Sequence, residues 1–222
     1  MGNGGGGGPR WLDVAPDRIE RWLADFSARH GPTVTTTDAR GAVVTVRAAT
    51  GAVAECHAPF PPLTSVRGDA GAQLAVHATA DRTVGVLLVR LGGYAAGVFS
   101  GAPPRLAASK VGSRLVHGRS AAGGQSQQRF ARRREKQAHE ALAAAADTAT
   151  AVFGQYAGRL DAVVLGGDKR AIASLRDDPR LRRYFDLAVD RFLTVPDPRL
   201  AVLQGTPRLF CAVRIRLTEP GD

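Results

Sequence analysis

Residues 121–134 read Ala121-Ala122-Gly123-Gly124-Gln125-Ser126-Gln127-Gln128-Arg129-Phe130-Ala131-Arg132-Arg133-Arg134. The two adjacent glycines tolerate positive-φ backbone that other residues enter only at a cost. Gln125 follows them, and Ser126 is a favourable helix N-cap. From Ser126 to about Tyr156 the spacing predicts one long helix, with Phe130, Ala138, Leu142, Ala145, Ala149, Val152 and Tyr156 along one stripe. A glycine loop, 118–125, thus delivers Gln125 to a helix start. Arg129, Arg132, Arg133, Arg134 and Lys136 crowd the first turns, where the helix dipole favours acids, and only Glu135 offsets them. A solvated arginine face is one account of the run. The other is a polyanion whose phosphates neutralise both side chains and dipole, and the adjacent Gly-Gly-Gln favours it.

The alanine-rich stripe suits close packing on a sheet, and the flanking sequence supplies one. Residues 83–91 form a continuous aliphatic run, predicted to be a buried strand. Gly92-Gly93 turns into a second strand, 94–100, and after Pro103-Pro104 a third, 106–117, leads into the loop. Beyond the helix, 160–165 returns as a strand, Gly166-Gly167-Asp168 starts a short helix, and 179–191 reads as a second helix through Leu181, Tyr184, Phe185, Ala188 and Val189. Residues 208–217 suggest a closing strand. The outcome is an α/β domain, a mixed sheet with flanking helices, assigned to 71–222.

Upstream, 1–9 is a glycine-rich tail expected to be disordered; it lacks the apolar stretch of a secretory signal. Residues 10–30 combine a short extended piece with a helix, Pro16 in its first turn and Ile19, Trp22, Leu23 and Phe26 at helical spacing. Gly31-Pro32 stops it. Strands are predicted at 33–37, 42–48 and 52–57, the last two joined by Ala49-Thr50-Gly51. These elements make 10–70 a small α+β domain with its boundary inside 59–71. Trp11 and Trp22 read as core or staple residues rather than base-stacking platforms, and His57 and His77 as structural or exposed ones.

The 222 residues carry 30 Lys+Arg against 20 Asp+Glu, a net charge of +10 that suits a nucleic-acid partner or an anionic membrane. No apolar run approaches the roughly 20 residues that span a bilayer, so a cytoplasmic protein without a membrane partner is expected. Cys56 and Cys211 lie far apart without metal-ligand spacing and read as reduced core thiols.

Chance alone gives Gly-Gly-Gln in about one chain in ten of this composition, so the tripeptide decides nothing by itself. The longer string through Arg129-Phe130-Ala131-Arg132 and Arg134 resembles the catalytic loop and following helix of eukaryotic and archaeal class I translation termination factors. Leu160-Asp161-Ala162-Val163-Val164-Leu165-Gly166-Gly167 and Asp178-Pro179-Arg180-Leu181 then follow in the same order as that domain's next strand and helix entry. The resemblance covers 82–193. It implies a ribonuclease-H-like fold and a loop that enters the peptidyl-transferase centre to promote hydrolysis of peptidyl-tRNA. Gln125 would be catalytic, Gly123 and Gly124 would permit its backbone, and Arg119, Arg129, Arg132, Arg133, Arg134 and Lys136 would meet RNA. The implied partners are the large ribosomal subunit, ribosomal RNA and peptidyl-tRNA; no cofactor or metal is expected, and the chain is expected to be a monomer.

Two features depart from the termination factors. Ser120-Ala121-Ala122 separates Gly118-Arg119 from Gly123, lengthening the loop, and 10–70 is unlike a stop-codon-reading domain. The pattern is closer to the codon-independent, release-factor-like peptidyl-tRNA hydrolases, actinobacterial members included, that rescue nascent chains on stalled large subunits. No Ser-His-Asp spacing offers an alternative hydrolase. A non-catalytic RNA-binding module would use the same cations. A metal-dependent nuclease would need carboxylates on strands, and 83–91 has none.

Overall fold

The structure is a computed structural model that describes residues 8–63, 69–90, 92–113 and 126–220, without the side chains of 126–131, 133 and 134. In chain order the elements are β1 (Arg10–Val14), α1 (Ile19–His30), β2 (Thr33–Thr37), β3 (Val43–Ala48), β4 (Val53–His57), α2 (Ala70–Thr79), β5 (Val84–Arg90), β6 (Gly93–Ser100) and β7 (Arg105–Ser113). They continue with α3 (Ser126–Gly154), β8 (Ala162–Gly167), α4 (Lys169–Ser174), α5 (Arg182–Phe185), β9 (Ala188–Leu193), α6 (Leu200–Gln204), α7 (Pro207–Phe210) and β10 (Val213–Thr218). They divide into two compact units: residues 1–80 with 207–222, and residues 81–206.

The first unit is an antiparallel sheet ordered β1-β10-β4-β3-β2. Its strands alternate, as a sheet with one covered face must. Val44, Val46, Ala54, Cys56, Val213, Ile215 and Leu217 are buried in one cluster with Ile19 and Phe26 of α1 and Leu74 of α2. Asp38 closes the β2–β3 turn by accepting from the Ala42 and Val43 amides at 2.7 and 2.8 Å, and the Val43 bond in particular holds its carboxyl below the usual range. Asp69 caps α2, accepting from the Gly71 and Ala72 amides at 2.9 and 3.3 Å and from the Thr35 hydroxyl. Cys56 and Cys211 are buried and not joined in a disulfide, and burial pushes the Cys56 thiol up to about 12. His77 is buried with Nε2 2.9 Å from the Phe60 carbonyl oxygen, a structural histidine.

The second unit is the mixed sheet expected of a ribonuclease-H-like domain. Its order is β7-β6-β5-β8-β9, with β6 antiparallel to both neighbours, β5 parallel to β8, and β8 parallel to β9. β5 is buried on both faces except at Arg90, which explains its unbroken aliphatic run. One core cluster joins Leu87, Val89, Ala96 and Val98 of the sheet to Ala145, Ala149, Val152 and Phe153 of α3, and to Ile172, Leu175, Leu181 and Tyr184 beyond β8.

Five expectations are corrected. The boundary falls at Ala80/Asp81 and not inside 59–71, because 69–79 forms α2, which packs in the first unit's core. The last strand does not close the 71–222 domain; β10 lies between β1 and β4 of the first unit's sheet. The helix expected at 179–191 is a single turn, α5, followed by β9, because the exposed edge of β8 offers a parallel ladder to the chain there. Gly166 and Gly167 belong to strand β8, and the turn begins only at Asp168. Trp11 is half exposed and not a core residue. Residues 1–7 of the expected tail lie outside the described residues.

Candidate functional site

Helix α3 positions everything the sequence singles out. Among its described side chains the fully buried ones run from Ala145 to Phe153, whereas Arg132, Glu135, Lys136, His139 and Glu140 are exposed. Ser126 precedes Ala145 by nineteen residues, so at 1.5 Å per residue the helix carries its start about 28 Å from the packed segment. A run this long survives because alanines, glutamines and long straight side chains fill it. Helical spacing places positions 129, 132, 133, 136 and 140 on one side and 138, 142, 145, 149 and 152 on the other.

Two devices anchor the packed end. Gly85 of β5 lets Phe153 lie directly on the strand, since a Cβ there would come within 3.1 Å of its ring. Arg180 then bridges Asp178 at 2.6 Å and Asp147 on α3 at 2.7 Å. The Arg180 hydrogen bonds hold the Asp178 carboxyl below the usual range and raise the guanidinium still further. The Asp178-Pro179-Arg180-Leu181 motif is therefore a clamp on α3, with Leu181 buried beneath it. Sequence reading missed Asp147, whose one signal is an acid interrupting an alanine run.

Of the residues the sequence proposes, Arg119, Gly123, Gly124 and Gln125 lie outside the described residues, as does the rest of 114–125. The described chain leaves β7 at Ser113 and resumes at Ser126, the first residue of α3, so Gln125 directly precedes a helix. Arg129, Arg133 and Arg134 sit in the opening turns of α3, with side chains outside the description. Arg132 is exposed, and Lys136 is exposed with Glu140 4.0 Å away, an i,i+4 pair worth a few tenths of a kcal/mol at most.

The carboxylates that a nuclease would enlist are committed to backbone. Asp161 accepts from the Thr83 amide at 2.7 Å, and Asp168 caps α4 through the Arg170 and Ala171 amides at 2.7 and 3.1 Å. Among the described residues no group of three His, Cys, Asp or Glu could hold a metal ion. A cavity of about 240 Å³ opens where β5 and β8 end, floored by Val89, Tyr94 and Leu142 and edged by Arg90 and Arg170.

Residues 82–216 match the Actinobacteria/Chloroflexi VLRF1 release factor family, acVLRF1. The chain belongs to that family. By the family's description it is a release factor family. No curated protein matches the sequence. Among solved structures, the archaeal translation termination factor aRF1 is similar at TM-score 0.44 and 14% identity, over 90% of this chain and 66% of that one. The Vms1 mitochondrial localization core is similar at 0.43 and 10%, over 78% of this chain and 76% of that one. The acVLRF1 chain thus spans slightly under two thirds of the archaeal factor. At these scores the likeness is one of general chain course, and the family assignment rests on the sequence match. Among the described residues no helix is long and apolar enough to cross a membrane.

Proposed function

We propose that this protein is a peptidyl-tRNA hydrolase that releases nascent chains from stalled large ribosomal subunits without reading a codon. The observation that supports the reading is the sequence position of Gly123-Gly124-Gln125 immediately before α3, a helix whose fully buried residues, among those described, begin only at Ala145. Ester hydrolysis requires a placed water, stabilisation of the oxyanion and a proton for the departing ribose oxygen. A glutamine is a poor acid and a poor base, but its amide orients water and its backbone N–H donates to developing negative charge. Water attacks the ester carbonyl carbon, the bond to the ribose oxygen breaks, and the proton lost by water goes to that oxygen. Ribosome and tRNA supply the remaining groups of the site. Gly123 and Gly124 allow close approach, and Arg119, Arg129, Arg132, Arg133, Arg134 and Lys136 hold the helix end on ribosomal RNA.

The test is peptide release from peptidyl-tRNA on isolated large subunits. Gln125→Ala should slow release at saturating protein by roughly thirtyfold to a thousandfold, about 2–4 kcal/mol of transition-state stabilisation, with half-maximal binding nearly unchanged. Wild-type rates in this variant would overturn the hydrolase and leave a non-catalytic RNA-binding module.

A further inference from the structure

Side chains alternate across the first unit's sheet, and among the described residues the core cluster of that unit lies on the face toward α1 and α2. The other face presents Trp11 and Asp13 from β1, Arg214 and Arg216 from β10, Glu55 and His57 from β4 and Arg47 from β3. Register brings three planar groups together on adjacent strands: Trp11 pairs with Arg216, and Arg214 pairs with His57. The Arg214 guanidinium lies 4.8 Å from the Trp11 ring centre, and the His57 ring is 5.2 Å from it, tilted by 49°. Trp11 keeps half of its surface exposed. The two acids are spent on holding guanidiniums in place, Asp13 on Arg214 at 3.4 Å and Glu55 on Arg216 at 3.0 Å. Three arginines against two acids leave the face net positive.

We propose that this face is a stacking platform for single-stranded RNA, with nucleobases laid against Trp11, Arg214 and His57 and the backbone running toward Arg47. Tryptophan, histidine and arginine planes are the groups on which unpaired bases stack, and a rigid sheet supplies them without ordering a loop. A protein partner would not require three π-faced groups side by side. The proposal goes beyond the reading of Gln125 and uses none of its residues.

The chain's two tryptophans make the test direct. Trp22 stacks on Phe26 on the helix side at 5.5 Å, so full-length Trp22→Phe protein keeps Trp11 as its sole indole. Arg129, Arg132 and Arg133 are changed to Gln in the same chain to remove the other basic surface. Titration with a 12-nucleotide oligouridylate should quench Trp11 emission by half or more, saturably, while a duplex of equal length should not. By anisotropy of labelled oligonucleotide, Trp11→Ala should weaken binding about fivefold to a hundredfold, and Trp11→Phe should recover most of it. Unquenched Trp11 at saturating RNA, or wild-type RNA affinity in Trp11→Ala, overturns the platform. So does a Trp11→Ala protein that loses ribosome affinity while its RNA affinity stands, which would mark a protein-docking face. Gln125→Ala leaves the quench untouched, so failure of the platform and failure of the hydrolase are separate results.

Discussion

Residues 1–80 with 207–222 hold 10 Lys+Arg and 9 Asp+Glu, whereas residues 81–206 hold 20 and 11. Both units bury a five-stranded sheet under helices, yet one is nearly neutral and the other carries +9. Residues 114–136 contribute seven cations and one acid, +6 of that excess. Elsewhere some arginines are paired with acids, as in Arg10–Glu219, Arg216–Glu55 and Arg180–Asp147. The basicity of this chain is therefore not a diffuse surface property. Most of it falls within residues 114–136.

The sharpest way to break the comparison is to damage one unit and watch the other. Ending the chain after Ala212 removes β10, and with it buried Val213, Ile215 and Leu217. At about 1.5–3 kcal/mol for each side chain, the loss is roughly 5–9 kcal/mol, comparable to the whole stability of a small domain. Unit 1 should unfold although the cut lies far from β1 and β4 in sequence. Trp11 and Trp22 both belong to unit 1, so a red-shifted emission with native-like exchange protection in β5 and β8 is the expected result. A native emission spectrum would show that β10 is dispensable.

The converse change is Gly167→Ala. Gly167 has φ +100° and a Cβ there would collide with the Val89 backbone. Strain and clash together should cost about 2–4 kcal/mol, lowering the thermal midpoint of unit 2 while tryptophan emission stays native. An unshifted midpoint would mean that β5 and β8 can part without cost.

Charge is compared by salt dependence. Changing Arg129, Arg132 and Arg133 to Gln should make the slope of log affinity for the ribosome against log salt shallower by about two to three. The same treatment of Arg10 and Arg21, which pair with Glu219 and Asp25 in unit 1, should leave it unchanged. Equal effects in the two variants would mean that the excess around α3 is not what meets RNA.

The smallest effect concerns acid. The Thr35 hydroxyl, ahead of the backbone amides, holds the Asp69 carboxyl below the usual carboxylate range. A group depressed on folding stabilises above its unfolded pKa and loses that contribution as pH falls through the folded one. Asp69→Ala should cost about 1 kcal/mol at pH 7, and the difference from wild type should shrink as the pH falls through and below the usual carboxylate range. A constant difference across that range would assign the effect to packing and not to the cap.

Local chemistry made much of this legible. The aliphatic run of β5, the hairpin signal between β3 and β4, and the Ser126 start of α3 are properties of adjacent residues, and each appears where expected. What was not legible depends on partners distant in sequence. Arg214-Ile215-Arg216-Leu217 alternates plainly, but nothing in it says that Leu217 pairs with both Arg10 and Ala54. Leu181, Tyr184 and Phe185 do lie on a helical turn, so the pattern ran on through Ala188 and Val189, where β8 had already claimed the chain for a parallel ladder. Asp69 was a readable cap, but Gly71 in the first turn of α2 obscured the helix behind it. At the site, residue types could be read, but the reach of α3 could not, because it depends on where burial stops.

The stretch inherited as a family, 82–216, and the stretch that folds as a body, 81–206, do not end together. Descent and folding have divided the chain at different points. A fragment trimmed to the homology limits would keep Val213 and Ile215 but discard β1 and β4, leaving an alternating strand with both edges unpaired, a sticky end of the fragment's own making. A fragment ending at residue 206 would have no such tail. The boundary suggested by ancestry is therefore the wrong place to cut this protein, and the few residues after Thr206 decide whether its release-factor half can be handled alone.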